Sequence, residues 1–246
     1  MSNPADRGIV LFGDPGTDMA MRGSTLAAVL GTGAVAFLMI VLVAMHLVQP
    51  ELSPVDHFVS EYAYGRLGWL VPWSYVLAGA GTLLMVWPLL ARLGRKGWAV
   101  ASAGCVALTG VGLVGTGLTR IDVAGANGAL VVTGPGQLHE LAGYVAILGL
   151  VAGSFVVTTA FRRDPEMANG TATLSLYRWG LLAGLVGVVI AQRLGGTGLG
   201  QRAFLAAALS WLIVVGVQLA GAGSEAIQAV LREMDSRSRR NGSRRR

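Results

Sequence analysis

Residues 24–47 read STLAAVLGTGAVAFLMIVLVAMHL, an apolar stretch without an acidic residue, a lysine or an arginine. About 20 consecutive apolar residues allow an α-helix to cross the hydrocarbon core of a bilayer. Only helices and closed barrels satisfy their backbone hydrogen bonds in lipid. Because the stretch is continuously apolar and does not alternate, it predicts a membrane-spanning helix and not a barrel strand.

The same pattern recurs along the chain. Further spans are predicted at residues 68–91, 97–118, 138–161, 176–191 and 203–220. The 246 residues are 53% hydrophobic and 13% charged, whereas an ordinary soluble domain is about 25% charged. The sequence therefore predicts an all-α integral membrane bundle of six transmembrane helices over residues 24–220. A polar head, 1–23, is predicted to be disordered, and a basic tail, 221–246, follows the bundle.

The basic residues indicate how the bundle is oriented. With six spans, both termini lie on one side, and most of the 19 lysines and arginines lie there too. The other side has only Arg66, Arg120, Arg193 and Arg202. Short loops rich in basic residues stay in the cytoplasm. We therefore expect a protein of the cell membrane with both termini cytoplasmic.

The C-terminal tail is the most basic part of the chain. The arginines of its last ten residues are Arg237, Arg239, Arg240, Arg244, Arg245 and Arg246. Such a run beside a membrane span is typical of attraction to anionic lipids. No folded reading module accompanies it, which disfavours nucleic acid as a partner. A homo-oligomer is a further expectation, because 246 residues is short for a transporter monomer.

The first outer loop contains an amphipathic pattern. Ser53 suits a helix N-cap and Pro54 the first helical position, so a short helix is predicted over residues 53–62. Apolar side chains recur at helical spacing on one face, namely Val55, Phe58, Val59 and Tyr62. The opposite face carries Asp56, His57, Ser60 and Glu61, with the pairs 56–60 and 57–61 in reach of each other.

Other ionisable residues lie at the outer ends of spans, where exposure to lipid is costly. His139 and Glu140 open the fourth span, and Arg202 opens the sixth. Arg202 is expected to pair with Glu61 or Glu140, or to meet a lipid phosphate. The predicted polar site at the outer mouth therefore consists of Asp56, His57, Ser60, Glu61, His139, Glu140 and Arg202. A merely solvated or structural role for these side chains stays open.

The sequence implies no metal and no particular cofactor. His139-Glu140 is followed by Gly143 rather than by the second histidine of a zinc-binding HExxH motif. Glycines such as Gly79, Gly110 and Gly112 lie inside predicted spans rather than between a strand and a helix. They therefore indicate close packing of membrane helices rather than a nucleotide-binding loop.

The run from His46 through Ser53-Pro54-Val55-Asp56-His57-Phe58-Val59-Ser60-Glu61-Tyr62-Ala63 to Gly68-Trp69-Leu70 resembles a family of bacterial and archaeal membrane proteins, domain of unknown function 998. The similarity continues at His139-Glu140 and at Gly200-Gln201-Arg202, and covers about residues 25–220. It implies a multi-pass membrane fold of unassigned activity. It brings no catalytic residues to this chain.

Three functions are compatible with the sequence. The first is a binding or transport protein with a polar pocket at the outer mouth. The second is a membrane enzyme acting on lipid headgroups, in which Asp56, His57, Glu61 and His139 serve as acid, base or metal ligands. The third is a structural or regulatory partner of another membrane protein. Whether His57 and His139 converge is the observation that separates a shared site from scattered polar residues.

Overall fold

The structure is a computed structural model that describes the backbone of residues 15–95, 97–123, 131–168 and 170–243, and side chains between residues 19 and 221 in those ranges. Its described residues form helices and loops, without strands. The α-helices are α1 (Pro15–Val48), α2 (Leu70–Leu84), α3 (Val86–Leu93), α4 (Trp98–Leu118), α5 (Gly134–Arg163), α6 (Thr171–Arg193) and α7 (Thr197–Ser243). A 3-10 helix, Val59–Tyr64, lies between α1 and α2.

The six predicted membrane spans are confirmed. The helices long and apolar enough to cross a bilayer are Met19–Val48, Leu70–Leu93, Trp98–Leu118, Gly134–Arg163, Thr171–Arg193 and Thr197–Gly221. The chain is therefore a multi-pass membrane protein. The first helix begins at Pro15, so it extends into the polar head of residues 1–23, of which residues 1–14 lie outside the described part. Disorder of the head stays a prediction. The arginine side chains of the tail also lie outside the described part.

The second span is divided into α2 and α3 at Met85. Three residues later comes Pro88, which has no N–H to donate to the carbonyl of Leu84 and whose ring crowds that carbonyl. The interruption is thus a local consequence of proline. It was not predicted, because hydropathy alone reads residues 68–91 as one helix.

The spans form a closed ring in chain order. Each span packs against the next one along the chain, and α7 packs against α1 to close the ring. The end that holds the connections 49–69, 119–133 and 194–196 is called the distal end. The opposite end, with both chain termini and the connections 94–97 and 164–170, is called the terminal end.

Small residues bring neighbouring helices into close contact. A Cβ atom on Gly79 of α2 would lie 2.7 Å from the carbonyl oxygen of Gly110 on α4. A Cβ atom on Gly31 of α1 would lie 2.5 Å from the carbonyl oxygen of Gly81. Such approaches are open only to residues without a side chain, as expected for packing between membrane helices. The prediction that the glycines serve helix packing is confirmed at these contacts.

Exposed tryptophans mark both ends of the bundle. Trp69 and Trp73 lie on the surface at the distal end, and Trp87 and Trp98 lie on the surface towards the terminal end. Tryptophan favours the headgroup level of a bilayer, where its ring is half in an apolar medium. The two pairs therefore indicate the two membrane–water boundaries, and the loops of the distal end lie at or beyond one of them.

Candidate functional site

The predicted polar residues fall into two groups at the distal end. Arg202 is the centre of one group, between α7, α1 and the first loop. His139 belongs to the other, which lines a cavity between α2, α4 and α5. Ser60 lines the same cavity as His139. The single site predicted from the sequence is thus two neighbouring features.

The Arg202 cluster consists of Arg202, His46, Tyr62 and the backbone carbonyl of His57. The guanidinium donates from Nε to Nε2 of His46 at 2.7 Å, and from one terminal nitrogen to the His57 carbonyl at 2.6 Å. Its other terminal nitrogen donates to the Tyr62 hydroxyl at 3.1 Å. The guanidinium also lies 5.6 Å from the centre of the Tyr62 ring, within range of a cation–π contact. One arginine therefore joins three segments of the chain.

These hydrogen bonds determine the tautomer of His46. Nδ1 lies 2.7 Å from the carbonyl oxygen of Leu42, which can only accept. Nε2 meets the Nε–H of Arg202, which can only donate. His46 is therefore neutral in this arrangement, with its proton on Nδ1. A protonated ring would place two N–H groups face to face, so the cluster as observed excludes that form.

Two glutamines that were absent from the predicted site hold the first loop in place. Gln49, which is fully buried, donates from Nε2 to the carbonyls of Tyr62 and Arg66 at 2.8 and 2.9 Å. The side-chain oxygen of Gln201 accepts from the backbone N–H of Val59 at 2.8 Å. The sequence could have indicated both glutamines, because each amide lies at the end of an apolar span, where an unpaired polar group costs free energy.

The start of α7 lies directly against the first loop. The backbone N–H groups of Gly198 and Leu199 donate to the carbonyl of Val55 at 2.8 and 3.2 Å. A Cβ atom on Gly198 would collide with the carbonyl oxygens of His57 and Pro54. These carbonyls thus lie at the N-terminal end of a helix, where unsatisfied N–H groups favour oxygen atoms.

The short amphipathic helix predicted over residues 53–62 is present, but it begins later than predicted. Residues 54–57 form turns, and the helical part is the 3-10 helix Val59–Tyr64. Val59 and Tyr62 are buried as predicted for the apolar face, whereas Val55 is exposed. The hydrogen bonds from α7 to Val55 hold residues 54–57 in a turn, so that tertiary contacts override the local pattern.

The polar side chains of this loop bond locally. Asp56 accepts from the hydroxyl of Ser53 at 2.6 Å, and Glu61 accepts from the backbone N–H of Phe58 at 2.8 Å. Ser60, in contrast, is buried and lines the cavity. His57 contributes its backbone carbonyl to the Arg202 cluster rather than its ring. Asp56 and Glu61 therefore stabilise the fold of the loop.

The distal cavity has a volume of about 370 Å³ and is the space bounded by α2, α4, the 3-10 helix and the start of α5. Aromatic rings of Trp69, Trp73 and Tyr75 line it together with Ser60 and His139. Small-molecule sites combine such apolar walls with a few convergent polar groups. The volume lies at the lower end of the range typical of ligand pockets, roughly 300–1,000 Å³.

His139 presents one ring nitrogen to a fixed partner. It is 9% exposed, and Nδ1 lies 3.2 Å from the carbonyl oxygen of Thr119 at the end of α4. The neutral ring with the proton on Nδ1 satisfies that carbonyl, which makes Nε2 an acceptor. Glu140, the next residue, is exposed. Of the two neighbours predicted as site residues, the structure places only His139 in the cavity.

One acidic residue that was not in the predicted site joins the loop after α4 to the start of α5. Asp122 accepts from the backbone N–H and the hydroxyl of Thr133, at 2.8 and 2.7 Å. The Thr133 hydroxyl also accepts from the N–H of Gly136 and so caps α5. The two hydrogen bonds from Thr133 to the Asp122 carboxylate lower the pKa of Asp122 below its usual value. The bond from the Thr133 hydroxyl has the larger effect.

Asp122 therefore makes stability depend on pH in a specific direction. A carboxyl group with a lowered pKa in the folded state stabilises the fold above about pH 4 and loses that contribution as the pH falls further. Relative to wild type, Asp122→Asn is expected to lower the melting temperature at pH 7, and the difference is expected to shrink towards pH 3. Thermal unfolding in detergent at both pH values measures it. An equal difference at the two values would contradict the role of the charge.

The described residues contain no group of three or more histidine, cysteine, aspartate or glutamate side chains arranged to hold a metal ion. The residues with polar side chains that line the cavity are Ser60, Tyr64, Tyr75, Thr116, Thr119, Arg120 and His139. The guanidinium of Arg202 is the centre of the neighbouring cluster.

Comparison with known protein families gives a match to the family described as protein of unknown function DUF998, over residues 32–218. The chain belongs to the DUF998 family. The matched range includes the Arg202 cluster and the distal cavity, and it ends before the arginine tail. The resemblance predicted from the sequence is thereby confirmed. No curated protein and no solved structure matches this DUF998 chain.

Within this DUF998 chain, the two features share one segment. The 3-10 helix contributes Tyr62 to the Arg202 cluster and Ser60 to the wall of the cavity. The position of Ser60 in the cavity therefore depends on the hydrogen bonds that Arg202 and Gln49 make to the same segment.

Proposed function

We propose that the chain is a membrane binding protein whose distal cavity holds a small amphipathic molecule. The observation that carries the proposal is the nearly buried His139, which lines a cavity of about 370 Å³ together with Ser60 and aromatic rings. The imidazole Nε2 is suited to accept a hydrogen bond from the ligand, and the rings are suited to cover its apolar part. A ligand of this class has a hydroxyl or amine group on a compact apolar body.

Binding is a better interpretation than ion-coupled transport because five of the six spans lack charge away from their ends. Residues 24–45, 70–91, 98–118, 141–161 and 203–221 contain no aspartate, glutamate, lysine, arginine or histidine. Buried hydroxyls in these helices, such as Thr82, Thr109 and Thr158, donate to carbonyls of their own helix. Proton and ion pathways through membranes use ionisable side chains. Away from the span ends, the described spans contain one such side chain, Arg178 of α6, whose guanidinium lies over the rings of Phe155 and Trp179.

The decisive experiment separates the two nitrogens of His139. In His139→Asn, the side-chain amide occupies about the position of Nδ1 and keeps a donor for Thr119, but nothing replaces Nε2. We expect this variant to fold and to bind about tenfold more weakly, the loss expected for one hydrogen bond of about 1–1.5 kcal/mol. The probes are small phenols, alcohols and amines, screened on the purified protein by thermal shift.

Glu140→Gln is the matched control, because it changes the neighbouring, exposed residue. It should keep every ligand-induced shift that the wild type shows. If compounds stabilise the wild type and His139→Asn equally, the cavity is not their site. If no compound of these classes stabilises the wild type, the proposed ligand class is wrong.

We also propose that the protein lies in the cell membrane with both termini in the cytoplasm. The asymmetry of basic residues supports this orientation. In a Cys105→Ala background, a cysteine in place of the exposed Arg66 should react with a membrane-impermeant maleimide added to intact cells. A cysteine in place of the exposed Arg95 should react only after the membrane is opened. The reverse labelling pattern would refute the orientation. Homo-oligomerisation stays a prediction.

A further inference from the structure

A groove of about 170 Å³ lies between α1 and α7 at the distal end, on the surface that the bundle presents to lipid. Its walls are apolar side chains of both helices, among them Leu42, Val43, Leu205 and Leu209. Val43 is 59% exposed, so the groove is open towards the bilayer. Its width and chemistry suit a hydrocarbon chain.

Two polar side chains, His46 and Arg202, line the same groove. The groove thus combines apolar walls with one cationic group, the guanidinium of Arg202. Arg202 is the sixth residue of α7, about 8 Å along the helix from its first residue. This depth is close to the boundary between headgroups and hydrocarbon, where an arginine reaches for phosphate.

The charge of Arg202 meets no opposite charge among its hydrogen-bond partners in the described part of the chain. These partners are a neutral imidazole, a backbone carbonyl and a phenol. A guanidinium has five N–H groups, and three of them make these bonds. The remaining donors and the uncompensated charge favour an anionic oxygen ligand, and guanidinium groups match phosphate in geometry.

From these observations we propose that the groove between α1 and α7 binds a membrane phospholipid, with its phosphate on Arg202 and an acyl chain along Leu42, Leu205 and Leu209. This site is separate from the distal cavity and does not depend on what the cavity binds. Because Arg202 also holds the first loop, the bound phosphate would strengthen the segment that carries Tyr62 and Ser60.

The test measures the melting temperature of the full-length protein in detergent with added dioleoyl phosphatidylglycerol. The matched pair of variants is Ala206→Phe, which fills the groove, and Ala203→Phe, which adds the same ring to an exposed position of α7 outside the groove lining. We expect the lipid to raise the melting temperature of the wild type and of Ala203→Phe. We expect Ala206→Phe to lose the shift, with binding about tenfold weaker or more, because an acyl chain kept out of the groove no longer buries two or more of its CH2 groups there.

Val43→Phe closes the groove from α1 and provides a second variant if Ala206→Phe fails to fold. Dioleoylglycerol, which has the same acyl chains without phosphate, should stabilise the wild type far less. Equal lipid shifts in all variants would overturn the proposal, because the lipid would then act elsewhere, for example at the arginine tail. An equal effect of dioleoylglycerol would overturn the role of Arg202, and an equal effect of inorganic phosphate alone would overturn the role of the groove.

Discussion

Replacing Arg202 by alanine is expected to destabilise the protein more than any other single change at the distal end. The substitution removes three hydrogen bonds from a charged donor and leaves the Nε2 atom of His46, the His57 carbonyl and the Tyr62 hydroxyl without that partner. Charge-assisted hydrogen bonds contribute about 1.5–3 kcal/mol each, and water replaces part of them at a half-buried site. We expect the free energy of unfolding to fall by about 3–5 kcal/mol. Thermal unfolding in detergent should show a melting temperature about 10 °C lower.

The matched control is Arg193→Ala, which removes an exposed arginine near the distal end of α6. It should change the melting temperature little, because exposed charges contribute about 0–1 kcal/mol. Arg202→Lys should recover less than half of the loss, since an ammonium group cannot reproduce the planar fork of donors. If Arg202→Ala and Arg193→Ala unfold at the same temperature, the Arg202 cluster does not hold the first loop.

The second large effect is expected at the contact between α4 and α5. A Cβ atom on Gly112 would collide with the backbone nitrogen of Ala146 and lie 2.7 Å from the carbonyl oxygen of Ala142. Backbone atoms of a packed helix cannot turn aside as a flexible side chain does, so the two helices must separate. We expect Gly112→Val to lower the free energy of unfolding by about 3 kcal/mol or more, which is at the upper end of the effects of overpacking a core. The yield of monodisperse protein on size-exclusion chromatography measures the loss.

Gly104 lies two turns earlier on the same helix and is the control for Gly112. A Cβ atom on Gly104 would meet nothing within 4 Å, and the residue is exposed. Gly104→Val should therefore leave the yield unchanged, since β-branched residues and glycine differ little in helix propensity. A Gly112→Val protein that is as abundant and as stable as Gly104→Val would show that α4 and α5 pack less closely than described.

The interactions of the distal end make its two features interdependent. Arg202 and Gln49 hold the 3-10 helix from the side of α1 and α7, while Ser60 of the same helix faces the cavity. A change at Arg202 should therefore weaken binding in the cavity as well as stability. A change at His139 should weaken binding alone, and this difference distinguishes a positioning residue from one that contacts ligand.

The membrane fold was predictable because its strongest cause is local in the sequence. A bilayer requires long apolar helices, and runs such as residues 24–47 meet that requirement without reference to the rest of the chain. The same rule identified His139 and Arg202, since ionisable groups at span ends must find polar surroundings. The break at Met85 escaped hydropathy, although Pro88 was a local signal for it.

What each polar residue contacts was decided by tertiary structure. Residues 53–62 have the spacing of an α-helix, yet hydrogen bonds from α7 to the Val55 carbonyl hold their first half in a turn. Tyr62 was predicted only as part of an apolar face, and nothing was predicted for Gln49, but both are central to the distal contacts. Arg202 and His46 are far apart in the chain and meet because α7 closes the ring against α1. Hydropathy fixes how deep a residue lies in the membrane, and only the order and crossing of the helices determine which residues at that depth face each other.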